Sequence, residues 1–129
     1  MGEIIRKVFD DEELTGKIIE AIIRVHQALG PGFLESIYRN ALVVELRRRD
    51  LLVNQEHEVP IYYEGVLVGK HRLDLVVERR IVLELKTIEA FGKAHYAQIR
   101  SYLKATGLRI GLLVNFALEK ADFRRVELK

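Results

Sequence analysis

In the run DLVVERRIVLELK, two apolar stretches flank the charged turn Glu78–Arg80, yet Asp74 stands at the start and Glu84 and Lys86 at the end. Strand side chains alternate between faces, so Glu84 and Lys86 share one face while Leu83 and Leu85 take the other. A tight turn at Glu78–Arg80 makes the two halves of the run antiparallel neighbours and lets Asp74 approach Glu84. In the preceding strand, Arg72, Asp74 and Val76 are expected on one face and Leu73, Leu75 and Val77 on the other. Buried charge is costly unless it is paired or bound to a metal. Two neighbouring carboxylates resist joint ionisation. A hard divalent cation, Mg²⁺ or Mn²⁺, resolves that conflict, because it accepts carboxylates, a backbone carbonyl, waters and phosphate oxygens together. Asp74 and Glu84 would hold it, with the carbonyl of Leu85 as a further ligand. Such an ion activates a bound water and screens a phosphodiester. Lys86 would orient that water and oppose charge in the transition state. A partly exposed salt-bridge network of Asp74, Glu84 and Lys86 has the same spacing and stands as the competing reading.

Two helices are expected ahead of these strands. In LTGKIIEAIIRVHQALG, the apolar residues Ile18, Ile19, Ile22, Ile23 and Leu29 recur at helical spacing, with Thr15 as the expected cap and GPG at Gly30–Gly32 as the stop. The next helix, FLESIYRNALVVELRRR, carries one stripe at Phe33, Ile37, Ala41 and Val44, with Leu34, Tyr38, Leu42 and Glu45 beside it. Asp50 closes it. The strand LLVNQEHEVPIYYEG places Val53, Gln55, His57 and Val59 on one side, and Pro60 marks it as an edge strand. Glu64–Gly65 reads as a hairpin turn into a strand at Val66–Val77, followed by a strand at Ile81–Leu85. EAFGKAHYAQIRSYLKATG is a crossover helix that stops at Gly107, and LRIGLLVNFA is a further strand. The tail, KADFRRVELK, fits either a final strand or a helical turn.

Other polar residues fall around this frame. His95, Gln98 and Tyr102 form a line on the crossover helix, which otherwise packs by Ala94, Ile99 and Leu103. That line can face the carboxylates, although a His at a helix start is as readily a capping residue. His26 lies on an apolar stripe and reads as a satisfied core histidine. His57 and His71 sit on strands. His71 and Arg72 can contact a substrate backbone, and an ion pair is the alternative for Arg72. The histidines lack zinc-like spacing, and no G-x-x-x-x-G-K-[ST] phosphate loop exists.

With 129 residues, no cysteine and a formal charge of +2, the chain suits one globular domain over 1–129 and excludes disulfides and thiolate metal sites. The basic clusters Arg47–Arg49, Arg79–Arg80 and Arg124–Arg125 would hold phosphates if they shared a face. Otherwise they are solvated helix-end and turn charges. The start, MGEIIRKVFDD, does not suit a signal peptide, and Arg6 does not suit N-myristoylation at Gly2. No stretch is long and apolar enough for a membrane span, and the cytoplasm is the default location.

The stretch HQALGPGFLESIYRNAL resembles the signature of the GxxExxY family, with Gly32, Glu35 and Tyr38 in its named positions. The later segments GKHRLDLVVERRIVLELK, HYAQIRSYLKATG and GLLVNF follow in the same order, so the resemblance covers residues 12 to 118. That family is assigned to the PD-(D/E)XK nuclease-like superfamily. The resemblance implies an α/β (α+β), restriction-endonuclease-like core: a mixed sheet of about four strands in α-β-β-β-α-β order, with flanking helices. It implies that Asp74 is the acidic metal ligand and that Glu84 and Lys86 are the (D/E)-x-K pair. Glu35 would be the upstream acid that supports the metal, with Tyr38 beside it. Gln98 and Tyr102 would line the cleft. Leu73 stands where the superfamily usually has Pro. The implied activity is Mg²⁺- or Mn²⁺-dependent hydrolysis of a phosphodiester, in DNA or else RNA. Lys93, Arg100 or the basic clusters would contact phosphates, and a second copy or a protein partner would help choose the target. A catalytically inactive nucleic-acid-binding module and a protein-interaction or structural subunit are the rival expectations.

Overall fold

The computed structural model describes residues 9–128. The readings of the N-terminus as neither a signal peptide nor a myristoylation site fall on residues 1–8 and lie outside the described residues. Helix α1 (Asp11–Leu29) starts earlier than Thr15. Its cap is Asp10, whose carboxylate accepts from the Glu13 N–H at 2.8 Å. The acidic run Asp11, Glu12 and Glu13 then suits the positive end of the helix dipole. Thr15 lies inside the first turns, where its hydroxyl donates to the Asp11 carbonyl. The helix ends at Gly30, whose φ of 69° lies in the left-handed region.

Helix α2 (Glu35–Arg48) buries Tyr38, Leu42, Val43 and Leu46. The expected stripe of Phe33, Ile37, Ala41 and Val44 is not the core stripe. Phe33, Ile37 and Val44 are all exposed, and only Ala41 packs against the core. The two candidate stripes are offset by one residue, a rotation of about 100° about the helix axis. Docking against α1 and the sheet selects the one headed by Tyr38.

Five strands follow: β1 (Val53–Tyr63), β2 (Val66–Val77), β3 (Ile81–Lys86), β4 (Ile110–Asn115) and β5 (Asp122–Glu127), with α3 (Lys93–Thr106) between β3 and β4. Their spatial order is β1-β2-β3-β4-β5. Only β3 and β4 pair in parallel, as a helical crossover requires. The sheet is therefore mixed. β1, with Pro60, forms one edge, and β5 resolves the tail as a strand on the other. Glu64 and Gly65 both take positive φ, the conformation of a two-residue hairpin turn between twisted strands.

Helices cover both sheet faces. α1 and α2 pack on Leu75, Val77, Ile81, Leu83, Leu85, Leu112 and Val114. The other face places Ile99, Tyr102 and Leu103 of α3 against Leu73, Val76, Val82 and Leu113. Alternation fails at Asp74, apart from the register shift between Ile61 and Tyr62 near the hairpin. Leu73 packs with α3, whereas Leu75 and Val77 pack with α1 and α2, so the three do not share a face. Val53 and Val59 of β1 divide in the same way. Between them lies Glu56 with a φ of 49°, and the β1–β2 ladder skips the Glu56/Asp74 position. The ladder between β2 and β3 stops at Leu75–Leu83, one step short of Asp74 and Glu84. Asp74 thus sits where the strands part.

Candidate active site

Side chains replace the missing ladder where β2 and β3 separate. The Asp74 backbone N–H donates to Glu84 Oε1 at 3.3 Å, and the Leu85 N–H donates to Asp74 Oδ2 at 2.9 Å. Each carboxylate accepts from the other strand's main chain, which brings Asp74, Glu84 and Leu85 together. Glu84 is only 4% exposed. Burial, and then the Asp74 carboxylate, push its pKa up to about 8. Lys86 follows on the same strand face, and its Nζ lies 3.4 Å from Gln98 Oε1.

Helix α2 brings a third carboxylate. Glu35 opens the helix, half-buried, and its pKa is raised by burial and by Asp74, against the pull of Lys86 and Arg39. Arg39 is four residues further on, hence on the same helical face. Its guanidinium lies 3.6 Å from Asp74 Oδ1. Its spacing of one helical turn from Glu35 is what marks Arg39 in the sequence. Tyr38 does not support Glu35 through its hydroxyl. That hydroxyl donates to the Gly30 carbonyl at 2.5 Å and accepts from the Phe33 N–H at 3.1 Å, while the ring stacks on Phe116. Tyr38 pins the Gly-Pro-Gly corner and so fixes where α2 begins. His26 is a satisfied core residue: buried, with Nε2 donating to the Leu118 carbonyl.

Helix α3 closes the other side. A hydrogen bond joins Tyr102 to Gln98, and burial, with Glu84 and Asp74 nearby, raises the phenol to about 12. The phenol therefore stays protonated. His71 meets the Tyr102 ring edge-on. His95 does not join this line, because its Nδ1 accepts from the Gly92 N–H at the start of α3. Ala94 is exposed, and Tyr102 packs in its place with Ile99 and Leu103. Arg72 pairs with Glu56 at 2.9 Å, both well exposed, so its ion pair is a surface one rather than buried. Asn115, which the sequence reading gave no role, is fully buried. Its side chain donates to the Ile88 carbonyl and accepts from the N–H groups of Ile88 and Ala117. It fixes the chain leaving Lys86.

The basic clusters are largely engaged within the protein. Arg47 donates to the Val53 carbonyl, and Arg49 pairs with Glu20 and Glu45. Arg80 pairs with Asp11, Arg124 with Asp122, and Arg125 with Glu12 and Glu127. Lys93 and Arg100 are exposed on α3.

Among the described residues, no group of three or more His, Cys, Asp and Glu side chains is gathered as a metal cage. Glu35, Asp74 and Glu84 sense one another's charge without converging to that degree. The arrangement suits an ion that takes only one or two protein carboxylates and completes its shell with water and phosphate, as Mg²⁺ does. Burial and the Asp74 carboxylate raise the pKa of Glu84, and the Asp74 N–H and the Lys86 ammonium offset only part of that rise.

The sequence profile of the PD-(D/E)XK nuclease superfamily matches residues 12–126. No curated protein matches the chain. Among solved structures, the fold is similar to that titled SSO0001, with a TM-score of 0.59 and 20% identity over 90% of this chain. The chain spans 58% of that protein's length. It is also similar to an alkaline exonuclease, LHK-Exo, from Laribacter hongkongensis. There the TM-score is 0.55 and the identity 10%, covering 95% of this chain and 73% of the other. At these identities the likeness is one of fold.

Proposed function

The chain belongs to the PD-(D/E)XK nuclease superfamily, and from that premise we propose that it hydrolyses phosphodiester bonds of nucleic acid, DNA foremost, with Mg²⁺ or Mn²⁺. The observation that carries this reading is the reciprocal bonding of Asp74 and Glu84 to each other's strands around a nearly buried Glu84. In this reading Asp74, Glu84 and the Leu85 backbone hold the cation, and Glu35 supports its outer shell. When bound, the ion supplies a water of lowered pKa and neutralises phosphate charge. Lys86, steadied by Gln98, positions the attacking water and opposes negative charge on the phosphorane-like transition state. Tyr102 holds Gln98 and keeps a protonated hydroxyl at the cleft wall. Lys93 and Arg100 extend along the exposed side of α3, where they can meet flanking phosphates. The whole chain acts as one nuclease-like unit in the cytoplasm, with a second copy or a protein partner helping to choose the target.

The test uses purified protein with labelled single-stranded DNA, duplex DNA and RNA, in Mg²⁺ or Mn²⁺ and in chelator. Cation-dependent cleavage that Asp74→Asn removes is the expected result. Cleavage unchanged in Asp74→Asn assigns the activity elsewhere. Absence of cleavage on every substrate, with binding that needs no cation and ignores Lys86→Ala, replaces hydrolysis with a binding-only role.

A further inference from the structure

Arg39 has no part in the roles above, yet it touches the carboxylate on which they depend. Asp74 Oδ2 is taken by the Leu85 N–H, and Oδ1 is the oxygen that faces Arg39. That contact is loose. At 3.6 Å it is longer than the Arg49–Glu45 pair at 2.9 Å or the Arg80–Asp11 pair at 2.7 Å. Both partners retain about one fifth of their side-chain exposure, at 21% and 20%. A guanidinium is a planar fork suited to two-pronged binding of carboxylate or phosphate, and here it is not used that way. A divalent ion on Asp74 would repel this positive charge across a few ångströms. The guanidinium would then exchange Asp74 for another anion, and helix α2 holds it beside Asp74 and Glu35.

We infer that Arg39 is an exchangeable counter-charge, which neutralises Asp74 in the metal-free protein and turns to a phosphate of the bound nucleic acid when a divalent cation takes that carboxylate. The inference rests on the proposed nuclease reading and adds to it a residue that links cation uptake to substrate binding. It requires opposite effects from one substitution. Removal of Arg39 frees Asp74 for metal and deprives nucleic acid of a contact.

Mn²⁺ affinity is measured by calorimetry without DNA, and binding of a short fluorescent DNA is measured in Ca²⁺ across a salt series. For Arg39→Ala, Mn²⁺ binding is expected to tighten about threefold to tenfold, as loss of a competing ion pair and its repulsion requires. DNA binding is expected to weaken about tenfold, the ordinary effect of losing a charged hydrogen bond. The slope of log affinity against log salt should fall by about one, as for one lost phosphate contact. Arg39→Lys should restore the salt slope. A residue that only props the fold would instead weaken both affinities and leave the slope in place, and that outcome overturns the inference, as do unchanged affinities. Cleavage by the unsubstituted chain, followed in parallel, separates the two claims. Cleavage without the opposed shifts overturns the role of Arg39 alone. The opposed shifts without cleavage overturn hydrolysis and leave the exchange standing.

Discussion

Glu84 carries the largest electrostatic tension in the described structure. Its folded pKa is raised from 4.5 to about 8. Between those values the folded protein keeps a proton that the unfolded chain has released, so stability from this group falls as pH rises through the interval. Metal-free protein is therefore expected to lose on the order of 3 kcal/mol between pH 5 and pH 9 on account of Glu84. Glu84→Gln keeps an oxygen to accept from Asp74 N–H and does not titrate. Denaturation at the two pH values should show a flatter dependence, with the variant the more stable at pH 9. Lys86 answers to a different measurement. Lys86→Ala is expected to lower cleavage about 100-fold or more, as for loss of a group that acts on transition-state charge. Calorimetry should show Mn²⁺ binding retained, because Lys86 is no ligand in the proposed site.

At the scale of elements, the site is the meeting of a parted strand pair with the start of α2 and the middle of α3. Position 111 sets the approach of α3 to the sheet. A Cβ added to Gly111 would lie 2.6 Å from Ile99 Cδ1 and 2.9 Å from Cγ1. Ile99 is fully buried and has little room to retreat. Gly111→Ala is expected to cost about 1–3 kcal/mol by overpacking. It should also reduce cleavage in protein that remains folded, since Gln98 and Tyr102 ride on the displaced helix. Urea titration and activity at low temperature read the two effects apart. The start of α2 depends on Tyr38, whose hydroxyl closes the corner from Gly30 to Phe33. Tyr38→Phe leaves the Phe116 stack in place and removes that clasp. A stability loss of about 1 kcal/mol is expected, with weaker Mn²⁺ binding through a less constrained Glu35.

For the whole molecule, the proposed cation site would link ion binding to folding. An ion that binds only the folded chain stabilises it by about 2.7 kcal/mol at a free concentration one hundred times its dissociation constant. Thermal unfolding with Mn²⁺ should therefore shift upward, and chelator should reverse the shift. The shift should be larger at pH 8.5 than at pH 6, because protons compete for Glu84 below its folded pKa. Asp74→Asn should remove it. No helix among the described residues is long and apolar enough to cross a membrane.

The sequence by itself determined the order of the elements from α1 to β4, the mixed sheet and the antiparallel pairing that brings Asp74 near Glu84, while the tail that becomes β5 fitted a strand or a helical turn alike. Those features follow from local rules: apolar period and the turn residues at Glu78–Arg80 and Glu64–Gly65. Thr15 was the expected cap of α1, and the structure places the cap at Asp10 instead. Other features required packing. The choice between the Ile37 and Tyr38 stripes on α2 depends on a rotation that only docking against α1 and the sheet selects. Whether His95 caps a helix or faces the cleft depends on the torsions around Gly92. The break in alternation at Asp74 arises because Leu73 and Leu75 are claimed by cores on opposite faces. Arg39 meets Asp74 across 35 positions of sequence, and Gln98 meets Lys86 from a separate helix. The tertiary fold sets the distance between such partners; local spacing marks only which residues share a helix face, as Arg39 does with Glu35 and Gln98 with Tyr102.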